Sequence, residues 1–210
     1  PGWTRAVALR QRRQAPGGNQ RRELANHHDG RMRGPATTVA GAQATLERLL
    51  GAERLDWKMD GVWSTFVGYA GGITPYPTYQ VVCTGKTGHA EVSQITYNPE
   101  IISFVELLEI FWKLHDPTTL NRQQNDVGTH YRSAIFYHSA TQKETAEKLI
   151  GILKDKGHEV VTKLTKADTF YPAEDYHQDY YQKNPLQYKF YRYACGRDGR
   201  LEEVWGKETS

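Results

Sequence analysis

The chain has 210 residues, 38% hydrophobic, 24% charged and 11% aromatic, which is enough for one domain with a sizeable core. It has no run of about 20 apolar residues, so a membrane-spanning helix is excluded, and its two cysteines, Cys83 and Cys195, exclude a disulfide-stapled scaffold. The net charge of +3 is uneven: residues 1–36 hold eight Arg against two acids, whereas the rest hold 19 Lys plus Arg against 22 acids.

Taken in chain order, residues 1–45 form a basic arm in which Trp3 is the only aromatic, and such a segment is expected to stay low in order. Within it, 37–45 is rich in Ala and Gly and makes a poor strand. From residue 46 the spacing of Leu46, Leu49, Leu50 and Trp57 predicts a helix over 45–59. Strands are predicted at 63–70, ended by Gly71-Gly72, and at 89–97, closed by Asn98-Pro99. Ser103 with Glu106 three residues on predicts a capping box and a helix to about Leu114, stopped by Asp116-Pro117. A strand at 131–138, a helix from a Thr141 cap to Gly157, a short strand at 160–164 and a helix over 173–183 follow, and the aromatic, basic tail from Leu186 has no clear period. Strand and helix segments that alternate in this way predict one α+β or α/β domain over 46–210 rather than a helix bundle.

Three polar clusters lie at element entries: 85–91 (Gly-Lys-Thr-Gly-His-Ala-Glu), 122–133 (Arg-Gln-Gln-Asn-Asp-Val-Gly-Thr-His-Tyr-Arg-Ser) and 170–178 (Phe-Tyr-Pro-Ala-Glu-Asp-Tyr-His-Gln). Such loops are where binding groups concentrate. The first lacks the second Gly and the Lys-Ser/Thr order of a phosphate loop, so no nucleotide is expected there. No histidine pair has a metal-ligand spacing, so His115 and His177 are expected as hydrogen-bonded or surface residues and no metal is assigned.

From Gly51 onward the motifs Gly51-Ala52-Glu53-Arg54, Gly61-Val62-Trp63-Ser64-Thr65, Val67-Gly68-Tyr69-Ala70-Gly71-Gly72, Pro77-Thr78-Tyr79, Thr87-Gly88-His89-Ala90-Glu91, His115-Asp116-Pro117 and the stretch from Tyr171 to Gln178 follow one another in order. With them the chain resembles the peptide methionine sulfoxide reductase A family. The resemblance implies a two-layer sandwich around a small mixed sheet, a ferredoxin-like core, with a long C-terminal coil. It also implies reduction of the S epimer of methionine sulfoxide, free or in oxidised proteins, with thioredoxin (dithiothreitol in vitro) as reductant and no bound cofactor. Glu91 would then protonate the sulfoxide oxygen, Tyr79, Asp126 and Tyr131 would shape or hydrogen-bond the site, and Cys195 would be the recycling cysteine. With no secretory or membrane signal in the sequence, a cytoplasmic location is expected.

The chain departs from the family at the nucleophile. Its Gly-Cys-Phe-Trp motif, at the start of the first helix, is absent, and counting back from Gly51 without a gap puts Arg48 at the cysteine and Leu49-Leu50 at the Phe-Trp pair. Arginine is no nucleophile, and its charge opposes the helix dipole that favours a thiolate. Codons GGC TGC TTC TGG, shifted by one preceding C, read CGG CTG CTT, which encodes Arg-Leu-Leu; part of the segment before Gly51 is therefore read as out of frame. The chain is expected to be impaired in turnover, and the alternative is a non-catalytic module that binds methionine sulfoxide. Cys83 is expected as a small buried hydrophobe without a nucleophilic role. A nucleic-acid tether in the arm is disfavoured, because the body is not basic.

Overall fold

The computed structural model describes residues 6–11 and 59–206, Cys195 excepted. A six-stranded sheet runs in the order β7-β6-β1-β3-β2-β8. Its strands are β1 (Ala6–Gln11), β2 (Val62–Ala70), β3 (Ala90–Tyr97), β6 (Ala134–Tyr137), β7 (Lys163–Lys166) and β8 (Phe170–Pro172). The pairs β1–β3, β1–β6 and β6–β7 are parallel, whereas β2 lies antiparallel to both β3 and β8. A two-residue hairpin, β4 (Arg122–Gln123) with β5 (Asp126–Val127), stands apart. The expected α+β class with a mixed sheet is the class observed.

The sheet corrects the expectation of a low-order arm at one place. Ala6–Gln11 fills the slot between β3 and β6, with Ala8 opposite Gln94 on one side and Phe136 on the other. Both neighbours present rows of backbone donors and acceptors that need a partner, and Ala-Val-Ala-Leu is a strand-compatible run. The poor strand expected over 37–45, the helix over 45–59 and Arg48 fall outside the described residues.

Two helices, α2 (Phe104–Lys113) and α3 (Ala140–Asp155), supply Leu107, Leu108, Phe111, Trp112 and Ala146 to one cluster with Ile95 and Tyr97 of β3 and Ile135 of β6. The Ser103 capping box forms as expected: its side-chain oxygen accepts from Glu106 N at 3.2 Å, and Glu106 accepts from Ser103 N at 2.8 Å. The cap of α3 is Ser139 rather than Thr141, because the Ser139 side chain accepts from Gln142 N at 3.1 Å and Thr141 already lies in the first turn.

Three further corrections concern the C-terminal half. The strand expected at 160–164 is shifted to Lys163–Lys166, where β6 offers its free edge. The helix expected over 173–183 shrinks to α4 (Tyr180–Lys183), because the Glu174 and Gln178 side chains bond to β2 and to the Tyr79 backbone instead of supporting a helical turn. The coil expected after Leu186 contains α5 (Pro185–Ala194) and α6 (Arg197–Trp205). The last of these docks through Trp205 Nε1, which donates to the His115 carbonyl at 3.2 Å, and through Arg200 Nε, which donates to Asp116 Oδ2 at 2.8 Å.

Candidate active site

The two-residue period of β3 sends Glu91 to the same face as Ser93, Ile95 and Tyr97, and Glu91 is fully buried beside Tyr69, its cross-strand partner on β2. The loop leading into β3 is fixed from both sides. Ile73 N donates to Thr87 O at 3.0 Å, Gly72 N donates to His89 Nδ1 at 3.1 Å, and His89 Nε2 donates to Thr74 O at 2.8 Å, which sets the His89 tautomer. A Cβ on Gly72 would come within 2.4 Å of His89 N, so this close approach requires glycine.

Tyr79 opens the short helix α1 (Tyr79–Val82), and the preceding Thr78 makes no side-chain cap. Glu174 takes that place: Oε1 accepts from Tyr79 N at 2.9 Å, Oε2 accepts from Tyr69 OH at 3.1 Å, and His177 Nε2 lies 3.2 Å away. Burial would raise the Glu174 pKa, but the bonds from His177 and Tyr79 outweigh it and hold the carboxyl at about 2. Gln178 reinforces the clamp by accepting from Val67 N at 3.0 Å and donating to the Val67 and Ala173 carbonyls at 2.9 Å. The third polar cluster thus positions Tyr79.

The second cluster positions Asp126 and Tyr131. His115 bridges Phe111 O and Ser133 Oγ, each at 2.7 Å, and Gln123 bonds both the N–H and the carbonyl of Asp116, holding the β4–β5 hairpin. His115 is therefore a buried hydrogen-bonded residue, as expected. Arg132 donates to Thr129 O at 2.8 Å and Gly88 O at 3.0 Å, tying the turn Thr129–Tyr131 to the loop before β3.

Tyr131 is the meeting point of the expected site residues that lie among the described ones: Glu91, Tyr79 and Asp126 all act on its phenol. Burial chiefly, and then the charges of Glu91, Tyr79, Cys83 and Asp126, hold the Tyr131 phenol well above its ordinary range, so it remains a hydrogen-bond donor. Asp126 is pushed up to about 8 by burial, partly offset by the charge of Arg197. Cys195 lies outside the described residues.

Sequence reasoning missed three participants. Cys83 caps α1 and is exposed, which corrects its expected burial, while its sulfur still approaches Tyr79 and Glu91. Although the residue reaches solvent, its thiol is half-buried, and that desolvation pushes it up to about 11; Tyr79 opposes this with a hydrogen bond, and Glu91 and Glu174 add to it. His130 and Arg197 are buried beside the same groups. His130 sat inside a flagged cluster, but no spacing signal ties positions 83, 91, 130 and 197 together. A separate cleft of about 430 Å³, lined by Asp116, Arg122, Gln124 and Arg200 among others, contains none of the residues around Glu91.

Arranged this way, the site offers a buried carboxyl, two phenols and a second carboxyl in desolvated surroundings, suited to gripping a polar oxygen on an otherwise apolar group. Residues 49–209 match the family model for peptide methionine sulfoxide reductase. The peptide methionine sulfoxide reductase MsrA of Nautilia profundicola is 58% identical over 130 residues, covering 62% of this chain and 75% of that protein. The MsrA of Methanothermobacter thermautotrophicus is 51% identical over 138 residues, covering 64% and 82%. Among solved structures, reduced Mxr1 from Saccharomyces cerevisiae superposes with a TM-score of 0.59 at 37% identity, covering 66% of this chain and 82% of that one. Methionine sulfoxide reductase A of Corynebacterium diphtheriae superposes with a TM-score of 0.58 at 42% identity, covering 65% and 70%. The chain belongs to the peptide methionine sulfoxide reductase family, whose reaction is the reduction of methionine sulfoxide.

Proposed function

We propose that the pocket around Glu91 is a methionine S-sulfoxide site, and that this polypeptide, with Arg48 at the nucleophile's position, binds the sulfoxide but turns it over poorly. The observation that carries it is the complete burial of Glu91 among Tyr79, Tyr131 and Asp126. A carboxyl serves as an acid near neutrality when it is desolvated, and Glu91 has that environment. In this scheme a thiol loses its proton as its sulfur bonds to the sulfoxide sulfur, Glu91 gives its own proton to the sulfoxide oxygen, and the proton released by the thiol restores Glu91. Oxygen passes to the thiol as a sulfenic acid and methionine leaves. A second thiol then condenses with the sulfenic acid, releasing water and leaving a disulfide, which a dithiol such as thioredoxin or dithiothreitol reduces.

Tyr79 and Tyr131 supply phenolic donors to the oxygen in its charged, partly transferred state, and Asp126 in its neutral form adds another. In this chain Cys195 is the thiol proposed for recycling. The second reading, a binding module without catalysis, is favoured by the absence of a cysteine near Arg48. Dithiothreitol-driven reduction of a peptide carrying methionine S-sulfoxide separates the two. Binding without turnover supports the module. Turnover abolished by Cys195→Ser shows that the tail cysteine has become the nucleophile, and failure to bind the peptide at all sinks the site assignment.

A further inference from the structure

Cys83 at the end of α1, Glu91 at the start of β3 and His130 in the turn Thr129–Tyr131 come from three separate segments. The thiol sulfur, a carboxylate oxygen and an imidazole nitrogen nonetheless lie within 4.8 Å of one another. Zinc bonds of about 2.0–2.3 Å at tetrahedral angles place ligand atoms about 3.3–3.6 Å apart. Closing the remaining gap takes movements of about 1 Å, within reach of rotation about the Cys83 and Glu91 side-chain bonds.

A second observation points to a ligand at this place. His130 is only 5% exposed, yet its Nδ1 has no hydrogen-bond partner among the described residues. An orphaned buried nitrogen is rare and destabilising. The ring is fixed, because it packs against Gly128, where a Cβ would come within 2.6 Å of it, and against Tyr131 with ring centres 3.9 Å apart. Burial, and then the charge of Arg132, push the His130 pKa down to about 4, so the ring keeps a free lone pair at neutral pH.

We propose that Cys83, Glu91 and His130 form a binding site for a borderline divalent cation, zinc foremost, at the mouth of the sulfoxide pocket. One sulfur, one nitrogen and one carboxylate oxygen suit zinc or its neighbours rather than magnesium or calcium, which prefer oxygen alone. The exposure of Cys83 leaves the fourth position open to water. On binding, the Cys83 S–H and Glu91 O–H bonds break, both protons pass to solvent, and sulfur–metal and oxygen–metal bonds form. Because the metal takes Glu91, a loaded pocket cannot protonate a sulfoxide. That inhibitory consequence rests on the proposed function, whereas the binding itself does not.

The test uses the full chain without substrate, so a failed reductase assignment leaves its result intact. Zinc is titrated against a chromophoric chelator, and cobalt is added alone to look for a thiolate-to-cobalt charge-transfer band in the near ultraviolet. One equivalent of zinc, a cobalt band lost in Cys83→Ser, and at least tenfold weaker zinc binding in both Cys83→Ser and His130→Gln are expected. Cys195→Ser should keep the band and the affinity. Thermal unfolding confirms that each variant is folded. Absence of binding at millimolar zinc, or binding unchanged by both the Cys83 and the His130 substitutions, overturns the proposal.

Discussion

At the scale of single residues, the buried carboxyls dominate. Glu91→Gln keeps the shape of the side chain and removes its transferable proton. In a family member that carries the nucleophile, or in this chain with Arg48→Cys, it should lower turnover by about 10²–10⁴-fold, measured as dithiothreitol-driven methionine production. Asp126 gives a pH signature. Its folded-state value of about 8 lies above that of an unfolded aspartate, about 3.9, so the native state holds a proton that the unfolded chain has lost. That stabilisation is fully present below about pH 4 and is lost as pH rises to about 8. Asp126→Asn should therefore gain melting temperature over the parent most at pH 8 and least at pH 4, as followed by circular dichroism. Glu91 and Tyr131 could be named from the sequence because their motifs are local. Cys83 and His130 could not, because their meeting depends on how α1 and the turn Thr129–Tyr131 fold over β3.

At the scale of elements, the clearest signals were those with a self-contained cause. The Ser103 capping box needs only residues three apart, and Ser103→Ala should cost about 1 kcal/mol in urea unfolding. The segment 174–178 shows the opposite case. Its residues read as a helix start, yet Glu174 and Gln178 direct their bonding groups to β2 and α1, with His177 beside Glu174, and those long-range bonds outweigh local helix preference. Glu174→Ala leaves Tyr79 N and Tyr69 OH without their acceptor, and should destabilise by about 2–3 kcal/mol. It should also weaken binding of a sulfoxide peptide, because Tyr79 loses its anchor, and isothermal calorimetry on the folded variant measures that.

At the scale of the whole molecule, the sheet depends on a strand far from its neighbours in sequence. Ala6–Gln11 stands between β3 and β6 and bonds to both. A proline there removes a backbone donor and clashes within a central strand. Ala8→Pro should abolish cooperative thermal unfolding, whereas the same substitution in a strand of no structural consequence would leave the transition intact. The arm's charge and lack of aromatics concealed this strand, since pairing uses backbone groups that composition does not report.

The amino-acid sequence by itself determined the family, the α+β class and the main strands and helices. Each is carried by contiguous motifs or by a short period that local chemistry enforces. Only the tertiary structure decided which strand fills the centre of the sheet, why Glu174 anchors Tyr79, and that polar atoms of Cys83, Glu91 and His130 come within 4.8 Å of one another. Those outcomes depend on unpaired backbone edges and buried polar groups finding partners across more than about ten residues of chain, and no local pattern encodes which partner is nearest once the core has closed.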